Sequence, residues 1–181
     1  MTKQFRYRID KRTKRLTWII SVLVLLLIGF FVLYSRSGYF PIWFSLFALT
    51  LLTLYILSIP RKITVTDDTF EIHCIVELTA IALDDIATVR KMEPAEMKFS
   101  FPVLAGYGFF GYYGYYYNFS EMSFFKVYAS QWKNFVRIED IYEDIYVVSC
   151  DDAEELIALV SKAREEKIER QEFAPETEDE A

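Results

Sequence analysis

The residues able to do chemistry are few and poorly spaced for it. The single histidine, His73, is followed directly by Cys74. A cysteine–histidine dyad needs the imidazole to take the thiol proton across a hydrogen bond. Phe70, Ile72, Cys74 and Val76 alternate with Glu71, His73 and Ile75, the period of a half-buried strand. Adjacent strand residues point to opposite faces, so the two side chains diverge and His73 is expected to face solvent. The pairs Asp84–Asp85, Glu139–Asp140 and Glu143–Asp144 fall at strand ends and turns, as solvated charge rather than a general acid and base. Cys74 and Cys150 match no metal-ligand spacing, and no glycine loop ends in the Lys-Ser/Thr of a phosphate cradle. The expectation is a non-enzyme with no metal and no cofactor.

One motif stands out. Gly106–Asn118 places eight aromatics in the eleven residues 107–117, broken by glycines that permit φ > 0 and close backbone approach. It falls where a fourth strand hands over to a fifth. Three readings stand for its rings Tyr107, Phe109, Phe110, Tyr112, Tyr113, Tyr115 and Tyr116. They form a satellite cluster over a sheet, they rest in a membrane interface, or they anchor a protein partner.

The segments that position this motif begin with two apolar runs, Leu16–Tyr34 and Phe40–Ile59, joined by Ser35–Tyr39. Neither run holds Asp, Glu, Lys, Arg or His, and each is long enough as a helix to cross about 30 Å of hydrocarbon. The expectation is a transmembrane hairpin, with no intramembrane ionisable group to serve transport. Gly29 is a candidate for close packing between its helices. A cleaved signal peptide is the rival for the first run, but that run is long for one, no A-x-A-like site follows, and a second apolar run comes next. Residues 1–15 form a basic leader, expected to be solvated. Arg12, Lys14, Arg15, Trp18, Tyr39, Trp43, Arg61 and Lys62 are the candidate membrane-interface residues. The basic residues flank both helices and the joining loop holds only Arg36, so both termini are expected in the cytoplasm at a cell (inner) membrane. Residues 1–60 carry net charge +7 and residues 61–181 carry −13 within a chain of −6. An acidic second part repels a phosphate backbone, so nucleic acid is not an expected partner.

Beyond Arg61 the period becomes two. Lys62–Val65, Phe70–Val76, Leu78–Leu83, Ile86–Met92, Phe124–Ser130, Phe135–Ile141 and Ile145–Cys150 read as seven strands joined by short turns, hence antiparallel. Asp151-Asp152 opens a helix whose buried stripe is Leu156, Ile157, Val160 and Ala163. The domain is expected over 61–171, with 172–181 a disordered acidic tail.

The segment Gly106–Asn118, then Val127–Ser130, Asn134–Ile138, Tyr146–Ser149 and the Asp-Asp-Ala-Glu-Glu helix start at 151–155, resembles the bacterial pleckstrin-homology-like domain family over about residues 62–170. The resemblance implies a seven-stranded, strongly bent antiparallel barrel closed by one C-terminal helix. With the hairpin read from the apolar runs, the expected fold class is an α+β membrane protein, a two-helix transmembrane hairpin followed by that barrel. It supplies no catalytic residue. The first hairpin loop of lipid-binding relatives is basic, whereas here it holds Asp67 and Asp68, which argues against phosphoinositide binding there. The functional expectation is a membrane-anchored module that binds a protein, or a second copy of itself, at the cytoplasmic surface. The alternative is a structural subunit of a larger membrane complex.

Overall fold

The amino-terminal segment holds Phe5 and Tyr7 among its basic residues, and burying them draws it into a sheet. In the computed structural model, which describes residues 2–34, 39–57, 59–75 and 78–172, strand β1 (Lys3–Arg6) runs antiparallel to β2 (Pro60–Val65), with Phe5 opposite Ile63. Phe5 is buried in the main core, a gain of roughly 1.5–3 kcal/mol for a side chain of this kind. The residues expected to be a solvated leader are thus strand and helix. Between these two paired strands the chain leaves the sheet, runs through α1 (Lys11–Tyr34) and α2 (Phe40–Leu57), and returns.

Asp10 starts α1. Its carbonyl receives the Lys14 N–H at 3.1 Å and its carboxylate that of Thr13 at 2.7 Å, an N-cap. The helix therefore begins five residues before the apolar run and carries Arg12, Lys14 and Arg15 on its first turns. One helical stretch, Lys11–Phe31, is long and apolar enough to cross a membrane by length and composition, while the apolar stretch Ile42–Leu54 in α2 is shorter. Phe31 and Phe44 bring their rings to 4.8 Å between the two helices. Gly29 meets no atom within 4 Å of where a Cβ would stand, so it is not the packing point expected between them. The joining residues 35–38 and the expected acidic tail from residue 173 lie outside the described residues.

After β2 come β3 (Thr69–Cys74), β4 (Leu78–Ala82), β5 (Ile86–Met92), a 3₁₀ turn at Glu96–Phe99, β6 (Ser100–Tyr107), β7 (Tyr112–Asn118), β8 (Ser123–Ala129), β9 (Phe135–Asp140), β10 (Ile145–Ser149) and helix α3 (Ala153–Glu172). The turn Thr66–Thr69 closes through the Thr66 N–H to the Thr69 carbonyl at 2.9 Å. The four-stranded sheet has the order β1-β2-β3-β4 and the six-stranded sheet β5-β9-β10-β8-β7-β6. The expected single seven-stranded barrel is thus ten strands in two separate sheets among the described residues. Nor is every neighbour antiparallel. Strand β10 inserts between β8 and β9, so it lies antiparallel to β9 and parallel to β8.

The main core lies between the sheets. Ile63, Phe70 and Ile72 from the smaller sheet, with Leu83 just after β4, meet Val136, Ile138, Tyr146 and Val148 from the larger, and α3 adds Ala153, Leu156 and Val160. Cys150 belongs to this core; burial, reinforced by the Asp152 carboxylate, pushes its thiol pKa up to about 12. A second core on the other face of the larger sheet gathers Met97, Tyr112, Tyr116, Phe125, Val127 and Phe135. Beside it Arg137 is buried and paired with Glu121 at 2.7 Å and Glu139 at 2.6 Å, so its charge is not left alone.

Candidate functional site

The glycine-aromatic segment is a hairpin. Strand β7 pairs with β6 on one side and β8 on the other, so alternate tyrosines take opposite faces. Tyr112 and Tyr116 are completely buried in the second core, and the Tyr116 hydroxyl donates to the Gly106 carbonyl at 2.7 Å. Burial pushes the Tyr112 phenol pKa up. Tyr113 is also buried, with its hydroxyl on the Phe109 carbonyl at 2.9 Å. These three rings are therefore not presented to a partner. Tyr107 and Tyr115 are exposed, and Phe109 and Phe110 are half-buried. Tyr107 packs against Tyr112 at 5.2 Å and Trp132 at 5.5 Å.

The turn between β6 and β7 docks on the base of α1. The Phe110 N–H donates to Thr17 Oγ1 at 2.8 Å, and Thr17 Oγ1 in turn donates to the Thr13 carbonyl at 2.9 Å. Gly108 has φ +75°, and a Cβ on it would stand 2.6 Å from Leu16 Cδ1. Glycine lets the turn come this close to the helix. The loop after β8 docks there too. Burial works to raise the Asp10 pKa, but hydrogen bonds from Thr13 and the Trp132 N–H, with the Arg12 guanidinium nearby, hold it below the usual carboxylate range. The Tyr7 hydroxyl donates to the Tyr128 carbonyl at 3.0 Å and Ser130 Oγ donates to the Arg8 carbonyl at 3.1 Å. The root of α1 and the residues just before it are thus bound to the domain by several hydrogen bonds.

Past this dock the larger sheet has an uncovered half. Phe101, Tyr117 and Phe124 lie in register across β6, β7 and β8, and Leu104, Tyr115 and Lys126 form the next such row. Leu104 is 78% exposed, Phe101 60% and Phe124 59%. Beyond them Phe99, Phe119 and Met122 are exposed at the end of the hairpin remote from α1. The Tyr117 ring holds Phe119 and Phe124 at 5.1 and 4.9 Å. Strand β6 is the sheet's edge, and it carries Pro102 and a register shift between Pro102 and Leu104, the features of an edge that is not meant to extend indefinitely.

Between this half and α2 lies a cavity of about 670 Å³, walled by Leu51, Val103, Leu104, Tyr115, Lys126 and Tyr128 among others. Lys126 Nζ sits 5.2 Å from the Tyr115 ring centre and 5.8 Å from that of Tyr146. Burial works against its charge, but a hydrogen bond with Tyr115 and the phenols of Tyr128 and Tyr146 hold its pKa above the ordinary lysine range. Among the described ion pairs Lys126 has no carboxylate partner. Asp144 shares with it a separate hollow of about 110 Å³.

The other sequence candidates are dispersed. Arg12, Lys14, Arg15 and Trp18 are exposed at the α1 root, Tyr39 and Trp43 at the start of α2, and Arg61 on β2, where Lys62 is half-buried. His73 hydrogen-bonds Glu71 at 2.8 Å on its own strand. The Asp67–Asp68 loop takes hydrogen bonds on its carbonyls from Arg170 at 3.0 Å and Lys167 at 3.1 Å of α3. Among the described residues no group of His, Cys, Asp or Glu is placed to hold a metal ion. Sequence reasoning missed Thr17, Leu104 and Lys126. The tyrosine run at 112–117 shows no alternation of residue type, so nothing local marked the strand that organises the last two.

No curated protein and no solved structure matches the chain. A family model described as "Bacterial PH domain" matches residues 61–163, the stretch from β2 through the first half of α3. PH domains are generally non-catalytic modules that bind protein or lipid. With more than half its length in that match, the chain belongs to the bacterial PH domain family.

Proposed function

We propose that this protein is a non-catalytic, membrane-anchored PH-like module. Helices α1 and α2 cross the cell (inner) membrane as a hairpin, both termini are cytoplasmic, and the domain binds a protein partner, or a second copy of the chain, at the inner surface. The apolar character of both helices and the basic residues flanking them support the anchoring. The observation that carries the binding reading is the uncovered end of the larger sheet, where Phe99, Phe101, Phe119, Met122 and Phe124 stand together beside an edge strand. An exposed apolar patch on a binding-module fold is where a partner lands. From the glycine-aromatic segment Tyr107, Phe109, Phe110, Tyr115 and Tyr117 remain available to such a partner.

A photo-crosslinker placed at Phe101 or Phe124 in native membranes tests this. A discrete protein adduct is expected, lost when the companion position is changed to Asp; adducts confined to lipid overturn it. Gly29, which has no described residue within 4 Å of where a Cβ would stand, favours a second reading, that α1 docks on a foreign helix in a larger complex. Replacing residues 11–57 by an unrelated two-helix anchor separates the two, since only the second role requires these helices.

A further inference from the structure

The cavity between α2 and the larger sheet is two-sided in its chemistry. Leu51, Val103 and Leu104 give it an apolar wall, and Lys126 gives it one ammonium framed by Tyr115 and Tyr146. No described residue neutralises that ammonium at ion-pair distance; Asp144 shares a neighbouring hollow with Lys126 but forms no ion pair with it. Leu51 lies six residues before the end of α2 at Leu57, about 9 Å along a helix. If the helix descends to the membrane surface there, the apolar wall stands at the depth of the upper acyl chains and the ammonium at the level of the head groups. The site is in a different part of the fold from the β2–β3 loop, whose residues are acidic and held by α3.

We propose that this cavity seats one anionic phospholipid of the surrounding inner leaflet, its phosphate on Lys126 and its acyl chains along Leu51, Val103 and Leu104. The inference rests on the membrane-anchored reading. It follows from charge complementarity, since a lone ammonium in an aromatic frame attracts a phosphate, and from continuity, since one wall belongs to a helix that lipid already surrounds. Such a lipid fills the gap between helix and domain and fixes the tilt of the domain on the membrane.

The test uses the full chain. Alkaline carbonate extraction of membranes comes first: release of the chain overturns the anchored reading and this one with it. For a retained chain, purification in mild detergent and native mass spectrometry compare phosphatidylglycerol with phosphatidylcholine. The wild type is expected to hold phosphatidylglycerol in preference, Lys126→Met to bind it about fivefold more weakly, and Lys126→Arg to keep it. Leu104→Asp is expected to lose both lipids, and a thermal melt of each variant checks that it folds. Equal retention of the two lipids by wild type, or undiminished phosphatidylglycerol on a folded Lys126→Met, overturns the lipid site and leaves the anchor standing. Glycerol phosphate competing as tightly as the lipid overturns the acyl-chain part of the assignment.

Discussion

Strands β9, β10 and β8 turn Val136, Ile138, Tyr146, Val148 and Tyr128 toward the four-stranded sheet, which covers them. Strands β7 and β6, hydrogen-bonded into the same sheet, turn Tyr115, Tyr117, Phe101 and Leu104 the same way without that cover. Both halves are held by continuous backbone ladders, so the difference in burial between them comes from what lies on top. A covered aromatic stabilises the fold by leaving water, whereas an uncovered one holds that free energy in reserve for whatever covers it later. The fold thus keeps a covered half and an uncovered half on one continuous face.

The largest blow to that contrast comes from the covered half. Phe70→Ala removes a fully buried ring from the main core and is expected to cost about 3–5 kcal/mol in urea unfolding. A smaller loss would mean that the smaller sheet is loosely seated. Next comes the strand joining the halves. Gly114 has φ +109°, and a Cβ on it would collide with the Leu104 carbonyl oxygen. Gly114→Ala should therefore cost roughly 1–3 kcal/mol in the same measurement, opening the β6–β7 pairing under the exposed row.

How much of this could be read from the chain depends on where the partner of each residue lies. Strands β2 through β5 and β8 through β10 announce themselves because their apolar alternation is local. Strand β1 does not. Its single buried apolar side chain, Phe5, gains its partner Ile63 only across both helices, so Lys3–Arg6 reads as a charged leader. Strand β7 hid for another reason. Tyrosine is apolar enough for the core and polar enough for the surface, so a run of them shows no alternation although the structure imposes one. Of the expected partner-binding rings, the buried Tyr112, Tyr113 and Tyr116 were misjudged on that account. The parallel placement of β10 beside β8 has no local signature at all.

The dock at the root of α1 gives a smaller and pH-dependent effect. Because Asp10 has a lowered pKa in the folded protein, its stabilisation is complete above the unfolded carboxylate value of about 4 and is lost as pH falls through the lower folded value. Asp10→Ala should cost about 1 kcal/mol at neutral pH. Asp10→Asn, which still caps, should keep most of that and flatten the acid limb of a thermal-stability profile measured against pH. An unchanged acid limb would show that Asp10 is not what holds the helix base. Smallest of all on stability is the uncovered half itself. Phe101→Ser and Phe124→Ser are each expected to shift unfolding by no more than about 0.5 kcal/mol while abolishing the crosslink to a partner. A large stability loss at either position would place these residues in the fold and erase the distinction between the halves.

The pairing of Lys3 with Val65 has a consequence for how the molecule is made. Strand β1 finds its neighbour β2 only after both apolar helices have been synthesised, so one border of the smaller sheet stays open until they exist. A closed margin on the smaller sheet then records that the whole stretch between β1 and β2 has been made and folded back, and a chain in which it goes astray is left with a raw sheet margin, ready for quality control to find.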